Sequence, residues 1–184
     1  MSTPEVVVPL APGFEEIEAV AIVDVLRRAG LRTAFASLEP GPVEGSHGIV
    51  IRSDMALDDV GQGPIRAVVL PGGMPGSARL RDDLRVRRLL VAVHAKGGVV
   101  AAVCAAPIAL AAAGLLAGRR AVCFPGFETQ LTGADVREDR VMVDDRVVTG
   151  RGAGVAVEFA LAVVALLVDE AAAERLGDSM LVRR

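Results

Sequence analysis

Residues 97–107 read GGVVAAVCAAP, and this run of small and β-branched residues ends at one thiol, Cys104. The pattern predicts a buried strand, a sharp turn that carries Cys104, and a helix over residues 105–116. Pro107 lies in the first turn of that predicted helix, where its missing N–H costs little. Unpaired N–H groups and the helix dipole at such a junction favour the reactive thiolate. An inert core cysteine is the alternative, because free cysteines are commonly buried.

Outward from this segment, apolar runs alternate with helical patterns along the chain. Strands are predicted over residues 5–10, 31–38, 48–53, 67–70, 121–124 and, as a hairpin, 140–143 and 146–149. Helices are predicted over 14–29, from Asp82 or Asp83 to 94, over 155–168 and over 170–176, with a weak helical turn at 57–60. Several strands are apolar throughout, which is typical of a parallel sheet covered by helices on both faces. We therefore expect one α/β domain spanning residues 1–184.

A carboxylate interrupts the apolar stripe of the first predicted helix. At about 100° per residue, the stripe consists of Phe14, Ile17, Ala21, Ile22, Val25 and Ala29. Glu16 and Arg27 fall on the opposite, solvent side, Glu15 lies at the edge, and Glu18 lies in the middle. Burying an ionised, unpaired carboxylate is very costly, so we expect Glu18 to be paired, or protonated and able to donate a hydrogen bond. The alternative is an acid that suits a helix start, which explains Glu15 and Glu16 but not an inward Glu18.

Glycines follow several of the predicted strands, at the edge where parallel sheets bind their ligands. Leu70-Pro71-Gly72-Gly73 ends one strand, and its N–H groups, with the one after Cys104, can form an oxyanion hole. A plain tight turn is the alternative. Arg151-Gly152 precedes the last long helix, where an anion can bind. That segment matches neither a P-loop nor a dinucleotide fingerprint.

Composition argues against several classes of function. The chain has 184 residues, a net charge of −3 and a pI of about 5.4, so nothing indicates nucleic-acid or membrane-surface binding. No apolar run reaches membrane-spanning length, and the N-terminus lacks the pattern of a signal peptide. Neither the two cysteines nor His47 and His94 have the spacing of a zinc site. We expect a cytoplasmic protein without metal or cofactor, in which Cys123 is a core thiol.

Several motifs together resemble the ThiJ/PfpI family, and within it the DJ-one-like (parkinsonism-associated) branch of bacterial type. They are APGFEEIE at 11–18, VDVLRRAG at 23–30, LPGG at 70–73, AVCAAP at 102–107 and TGRG at 149–152. The resemblance runs nearly end to end. It implies a flavodoxin-like α/β sandwich with a mostly parallel central sheet, like that of the class I glutamine amidotransferases, and usually a homodimer.

The resemblance also implies which residues act. Cys104 is the expected nucleophile, prone to oxidation, and Glu18 is its expected protonated acid partner. The backbone N–H groups of Gly73 and Ala105 are expected to hold an oxyanion. The residues expected to line the site are Gly72, Glu15, Phe124, Arg151 and Gly152.

The chain departs from the family pattern at positions that bear on function. Ala105 stands where relatives with protease character have a histidine, which argues against peptidase activity. Phe124 replaces a histidine before a proline, so no general base comes from that position. His47 stands where the branch has an arginine that a partner subunit lends toward the thiol. We therefore expect His47, with Arg28, at a contact across the dimer that is sensitive to pH.

Two functions of different classes use the same residues. In the first, an enzyme converts methylglyoxal-type α-oxoaldehydes, or deglycates protein, through a hemithioacetal on Cys104, without metal or glutathione. In the second, Cys104 oxidises to a sulfinate, and the protein is an oxidative-stress sensor or a redox-regulated chaperone. Multiple turnovers separate the two, because a sensor consumes oxidant only in proportion to its thiol.

Overall fold

The computed structural model describes residues 3–61 and 63–182. Its strands are β1 (Val6–Leu10), β2 (Thr33–Ser37), β3 (Pro42–Glu44), β4 (Val50–Arg52), β5 (Met55–Ala56), β6 (Ala67–Leu70), β7 (Val99–Val103), β8 (Arg120–Ala121), β9 (Asp135–Val136), β10 (Val141–Asp144) and β11 (Val147–Gly150). Its helices are α1 (Glu16–Arg28), α2 (Gly76–Asp82), α3 (Leu84–Ala95), α4 (Pro107–Ala112), α5 (Ala156–Leu167) and α6 (Glu170–Ser179). Within these described ranges, no helix combines the length and the apolar character needed to cross a bilayer.

A seven-stranded sheet in the order β10-β11-β7-β6-β1-β2-β5 forms the centre of the fold. All neighbouring strands in it are parallel except the hairpin pair β10 and β11. In this sheet β7 lies between β6 and β11, with Leu70 opposite Ala102 and Gly150 opposite Val103. These registers bring the segments that follow β6, β7 and β11 to the same edge of the sheet.

Helices cover both faces of this sheet, and each face has its own apolar core. On one face α1 and α5 pack against each other and the sheet through buried residues such as Ile22 and Phe159. On the other face α3 and α4 contribute buried residues such as Leu90 and Leu110. Successive residues of β1 point into opposite cores, so this strand is apolar throughout. The flavodoxin-like α/β sandwich expected from the sequence is confirmed.

Capping signals in the sequence correctly placed two helix ends. Asp83 precedes α3 and accepts hydrogen bonds from the N–H groups of Arg85 and Val86. Gly30 follows α1 with a φ of 80°, the left-handed conformation that glycine adopts at helix ends. The predicted hairpin is also present, because β10 and β11 pair antiparallel on either side of Asp145.

Two predicted elements are shorter in the structure. The helix expected over 105–116 spans only Pro107–Ala112, because Gly114 adopts a φ of 74° and ends it. The strand expected over 121–124 is reduced to Arg120–Ala121. Beyond that point the Val122 N–H donates to the side-chain hydroxyl of Thr149 on β11 rather than to a backbone carbonyl.

The edge strands and α2 show what the apolar pattern misses. The strand expected at 48–53 is Val50–Arg52, and it pairs with β3 in a separate two-stranded sheet. The neighbour of β2 in the main sheet is instead β5, which has only two residues. Neither β3, β5 nor α2 was predicted, because short and partly exposed elements have no clear apolar period.

The first turn of α1 differs from the helical-wheel prediction at two positions. Glu16, expected on the solvent side, is buried, and Ile17, expected in the apolar stripe, is 62% exposed. The hairpin of β3 and β4 packs over this turn, where the Ser46 N–H donates to the Phe14 carbonyl at 2.8 Å. A wheel considers one helix alone, so it does not show that a distant hairpin covers the side it assigns to solvent.

Candidate active site

Cys104 follows β7 directly, at the edge of the sheet where three strand ends meet. Its φ of 62° lies in the left-handed region, which non-glycine residues rarely adopt. Two backbone hydrogen bonds hold it there: its N–H donates to the Gly150 carbonyl at 2.9 Å, and its carbonyl accepts from the Phe124 N–H at 2.8 Å. The half-buried thiol therefore projects from a fixed turn.

Glu18 projects from α1 and is fully buried. Its Oε2 accepts a hydrogen bond from the Gly72 N–H at 2.7 Å. Its Oε1 is also buried and has no hydrogen-bond partner among the described residues. Burial raises the pKa of Glu18 to about 7, against lowering contributions from the Gly72 N–H and the Cys104 thiol. A proton on Oε1 makes this carboxyl a neutral hydrogen-bond donor.

Cys104 and Glu18 compete for ionisation. Burial first, and then the charge and hydrogen bond of the Glu18 carboxylate, raise the pKa of Cys104 to about 12. The Gly73 and Ala105 N–H groups lower this pKa, as expected from the sequence, but they do not outweigh the other effects. The expected preference for the thiolate is therefore wrong, because burial is the largest effect on this pKa and does not depend on the charge of Glu18. That expectation also relied on the dipole of a helix starting directly after Cys104. The helix α4 has only six residues and begins at Pro107, so its dipole contributes little at the thiol.

Gly72 and Gly73 allow the chain to pass directly beneath the two reactive side chains. A Cβ at Gly72 would lie 2.6 Å from the Cβ of Cys104 and 2.7 Å from Oε2 of Glu18. Gly73 has a φ of 87°, and a Cβ there would lie 2.4 Å from the Glu15 nitrogen. Only glycine fits both places, so the backbone N–H groups can approach the site closely.

The other residues expected to line the site differ in what they do. The Glu15 N–H donates to the Gly72 carbonyl at 2.9 Å, so Glu15 fixes the glycine turn through its backbone. The Phe124 side chain is 47% exposed and lies over Gly152, where a Cβ would be 3.3 Å from its ring. Arg151 uses its guanidinium to donate to the Glu138 carbonyl at 2.7 Å.

His47, Glu16 and Glu15 form a polar cluster beside the site. His47 Nδ1 lies 3.0 Å from Oε2 of Glu16 and 3.4 Å from Oε2 of Glu15, all within one chain. Burial alone would raise the pKa of Glu16, but hydrogen bonds from the His47 ring, the His47 N–H and the Ile49 N–H together lower it to about 2. The hydrogen bond to Glu16, and then the charges of Glu15 and Glu16, raise the pKa of His47.

Sequence reasoning missed Glu16 as a member of this cluster. Glu16 and His47 are 31 positions apart in the sequence, and the hairpin of β3 and β4 brings them together by packing against α1. Arg28, expected with His47 at a dimer contact, makes an exposed ion pair within the chain with Asp24 at 2.7 Å. Cys123 is buried, and burial raises its pKa to about 11.

The sheet is mainly parallel, and the site at its edge combines a cysteine on a strained turn with a buried glutamate and a double-glycine turn. These features define a flavodoxin-like α/β protein with a cysteine-centred site. The chain belongs to the DJ-1/PfpI family, whose model matches residues 4–166.

Individual relatives agree with this assignment. Protein DJ-1 homolog A of Arabidopsis thaliana is 36% identical over 98% of this chain, and the chain spans 47% of that relative's length. Glutathione-independent glyoxalase DJR-1.2 of Caenorhabditis elegans is 37% identical over 83% of this chain and 82% of its own. The oxidised form of Toxoplasma gondii DJ-1 is 37% identical, with a TM-score of 0.93 over 98% of this chain and 100% of that one. These eukaryotic relatives give no support to the bacterial type.

Proposed function

We propose that this chain is a cofactor-independent glyoxalase and protein deglycase that acts on methylglyoxal-type α-oxoaldehydes through Cys104. The observation that carries the proposal is the buried Oε1 of Glu18, which lacks a partner among the described residues beside a thiol on a strained turn. A relative named as a glutathione-independent glyoxalase, 37% identical, supports the same activity. Peptidase activity is not proposed, because Ala105 follows the cysteine.

The first step is addition of the thiol to the aldehyde. The sulfur of Cys104 forms a bond to the aldehyde carbon, and the carbonyl π pair moves to oxygen. The Gly73 and Ala105 N–H groups stabilise the developing oxyanion. The proton that Cys104 and Glu18 hold between them passes to that oxygen, which gives a neutral hemithioacetal and leaves Glu18 ionised.

The second step moves hydrogen from one carbon of the substrate to the other. Ionised Glu18 removes the proton from the sulfur-bearing carbon, which gives an enediolate. The hydroxyl proton on that carbon's oxygen passes to the neighbouring oxygen, and Glu18 returns its proton to the neighbouring carbon. The product is a thioester of the 2-hydroxy acid. Water then cleaves the C–S bond, releases lactate from methylglyoxal and restores the thiol. A pKa of about 7 suits Glu18 to both directions of this transfer at neutral pH.

The test measures methylglyoxal consumption and lactate formation by chelator-treated protein. Cys104→Ser should abolish multiple turnover, whereas Cys123→Ser, which alters the chain's other and buried cysteine, should retain it. Equal activity in the two variants, or none in the wild-type protein, would rule out a Cys104-dependent glyoxalase. Glycated peptide as the substrate then tests deglycation separately.

A second candidate function is an oxidative-stress sensor, and the oxidised form of the Toxoplasma gondii relative favours it. Two equivalents of peroxide convert the thiol to a sulfinate and release two of water. The Gly73 and Ala105 N–H groups and protonated Glu18 would stabilise the sulfinate oxygens. Stoichiometric peroxide consumption without aldehyde turnover would favour this function or a redox-regulated chaperone over the enzyme.

We further propose a homodimer in a reducing, cytoplasmic setting. Exposed apolar side chains on α1 and at the start of β4 support the dimer, namely Ile17, Val20, Ile49 and Val50, all between 51% and 62% exposed. Covering such side chains is favourable by about 25 cal/mol per Å² of buried apolar surface. Light scattering of the wild type and of Val20→Asp should show a dimer that the charge disrupts.

A further inference from the structure

Four donor atoms from two distant segments meet beside the mouth of the candidate site. They are Oε2 of Glu15, Oε2 of Glu16, Oγ of Ser46 and Nδ1 of His47. Ser46 Oγ lies 3.3 Å from each carboxylate oxygen and 3.1 Å from the histidine nitrogen. The histidine nitrogen lies 3.0 Å from the Glu16 oxygen and 3.4 Å from the Glu15 oxygen. Five of the six distances among these atoms are therefore nearly equal.

Four donors at the corners of a tetrahedron are equally spaced, and one ligand atom from each of Glu15, Glu16 and His47 lies within 4.8 Å of the others. Zinc bound to nitrogen and oxygen at about 2.0–2.1 Å requires donors about 3.3–3.4 Å apart. The five distances in the cluster run from 3.0 to 3.4 Å, close to the spacing that such a cation requires. Open zinc sites bind the metal through three protein ligands and leave the fourth position to a weaker oxygen ligand. Here the two carboxylates and the imidazole would be the three ligands, and the serine hydroxyl would be the weaker oxygen.

The donors are held in place by a second set of contacts. Glu16 is buried, and its other oxygen, Oε1, accepts from the His47 N–H at 2.7 Å and the Ile49 N–H at 3.3 Å. A Cβ at Gly45 would lie 2.4 Å from the Glu16 carboxyl carbon, so the hairpin backbone rests directly on this side chain. Such outer contacts leave Oε2 aimed at the cluster and orient ligands in metal sites.

The chemistry of the donors selects among cations. Two carboxylates supply two negative charges, which one divalent cation neutralises. The imidazole nitrogen favours zinc and its d-block neighbours over magnesium and calcium, which prefer oxygen donors and higher coordination numbers. A histidine bridging two carboxylates without any metal is the competing arrangement, and it predicts no affinity for Zn²⁺.

We propose that Glu15, Glu16, Ser46 and His47 bind one divalent zinc-class cation, at a site separate from Cys104. Sequence patterns do not indicate such a site, because its ligands come from segments 31 residues apart. The cation would tie the hairpin tip to the first turn of α1, and the Glu15 backbone connects that turn to Gly72. The site therefore lies next to the reaction centre without using any of its reactive groups.

The experiment titrates Zn²⁺ alone into tag-free protein cleared of metal with a chelator, in the absence of aldehyde. One equivalent should bind, and Co²⁺ should give the strong visible absorption of tetrahedral coordination. His47→Ala should weaken binding at least about tenfold, the loss typical even of outer-shell changes in metal sites. Because the His47 side chain is 68% exposed, this variant should fold, which circular dichroism checks.

Two matched variants make the result specific. His94→Ala alters the chain's other histidine, and Cys104→Ser removes the reactive thiol; both should bind Zn²⁺ like the wild type. Unchanged affinity in His47→Ala, loss of affinity in Cys104→Ser, or no binding by the wild type would each overturn the proposal. No aldehyde is present, so the outcome does not depend on the proposed glyoxalase activity.

Discussion

Replacing Glu18 by glutamine should change how the free energy of unfolding depends on pH. In the folded protein, burial raises the pKa of Glu18 from its ordinary value of 4.5 to about 7. A raised pKa means that the folded state holds the proton more tightly, so this contribution to stability is complete below pH 4.5 and is lost as pH rises through 7. At 1.36 kcal/mol for each pH unit between the two pKa values, the loss is about 3 kcal/mol.

Glutamine resembles the protonated acid in shape and does not titrate. The amide oxygen can accept from the Gly72 N–H, and the amide nitrogen then takes the place of Oε1, which has no partner among the described residues. We expect the two proteins to differ by a constant amount below about pH 4.5. Glu18→Gln should gain about 3 kcal/mol relative to the wild type by about pH 8.

The assay is urea unfolding followed by far-ultraviolet circular dichroism, with reductant present, at several pH values. The chain contains neither tryptophan nor tyrosine, so it lacks the usual fluorescence signals. Repeating the comparison in a Cys104→Ser background separates the carboxyl from the thiol to which it is coupled. If both proteins change stability in parallel across this range, Glu18 does not take up a proton on folding. The argument for a neutral buried acid would then be refuted.

Three further substitutions test the scaffold around the site by the same unfolding assay. Gly72→Ala places a methyl 2.6 Å from the nearest side-chain carbon, so it should lower the free energy of unfolding by at least about 1–3 kcal/mol and remove most of the activity. The control Gly154→Ala has nothing within 4 Å of its new methyl and should be nearly neutral. Equal losses in the two variants would contradict the packing argument. Thr149→Val removes the hydroxyl that accepts a 2.9 Å hydrogen bond from the buried Val122 N–H, so it should lower the free energy of unfolding by about 1–3 kcal/mol. An unchanged urea midpoint would mean that another acceptor replaces the hydroxyl. Asp83→Ala removes the cap of α3 and should cost about 1 kcal/mol, and a stabilised variant would show that the cap is not the dominant interaction there.

The central strands and the inward position of Glu18 follow from local patterns. A strand apolar on both faces predicts its place in the middle of a parallel sheet, and β7 lies there. A single helical wheel was sufficient to show that Glu18 points into the core, because its neighbours on α1 are apolar. These features depend on residues within a few turns of one another.

What the sequence did not predict depends on contacts between distant segments. Glu16 is buried because the hairpin of β3 and β4 covers it, and nothing in the helix itself indicates that cover. The pKa of Cys104 rises because the folded chain buries the thiol and places Glu18 from another element against it, and together these outweigh the local N–H groups. Both failures have the same physical origin, since desolvation and charge act through space rather than along the chain.

Because Cys104 is attached to β7, its backbone belongs to the part of the protein that opens least. The strand is flanked by β6 and β11, and both peptide groups of the cysteine are hydrogen-bonded. Amides in such positions exchange with deuterium only when the whole protein unfolds, whereas loops and edges exchange through small local openings. An oxidant or an aldehyde must therefore reach the sulfur through the side chains at its mouth, not through fluctuations of the strand. We expect thiol reactivity to change only gradually on heating until global unfolding begins.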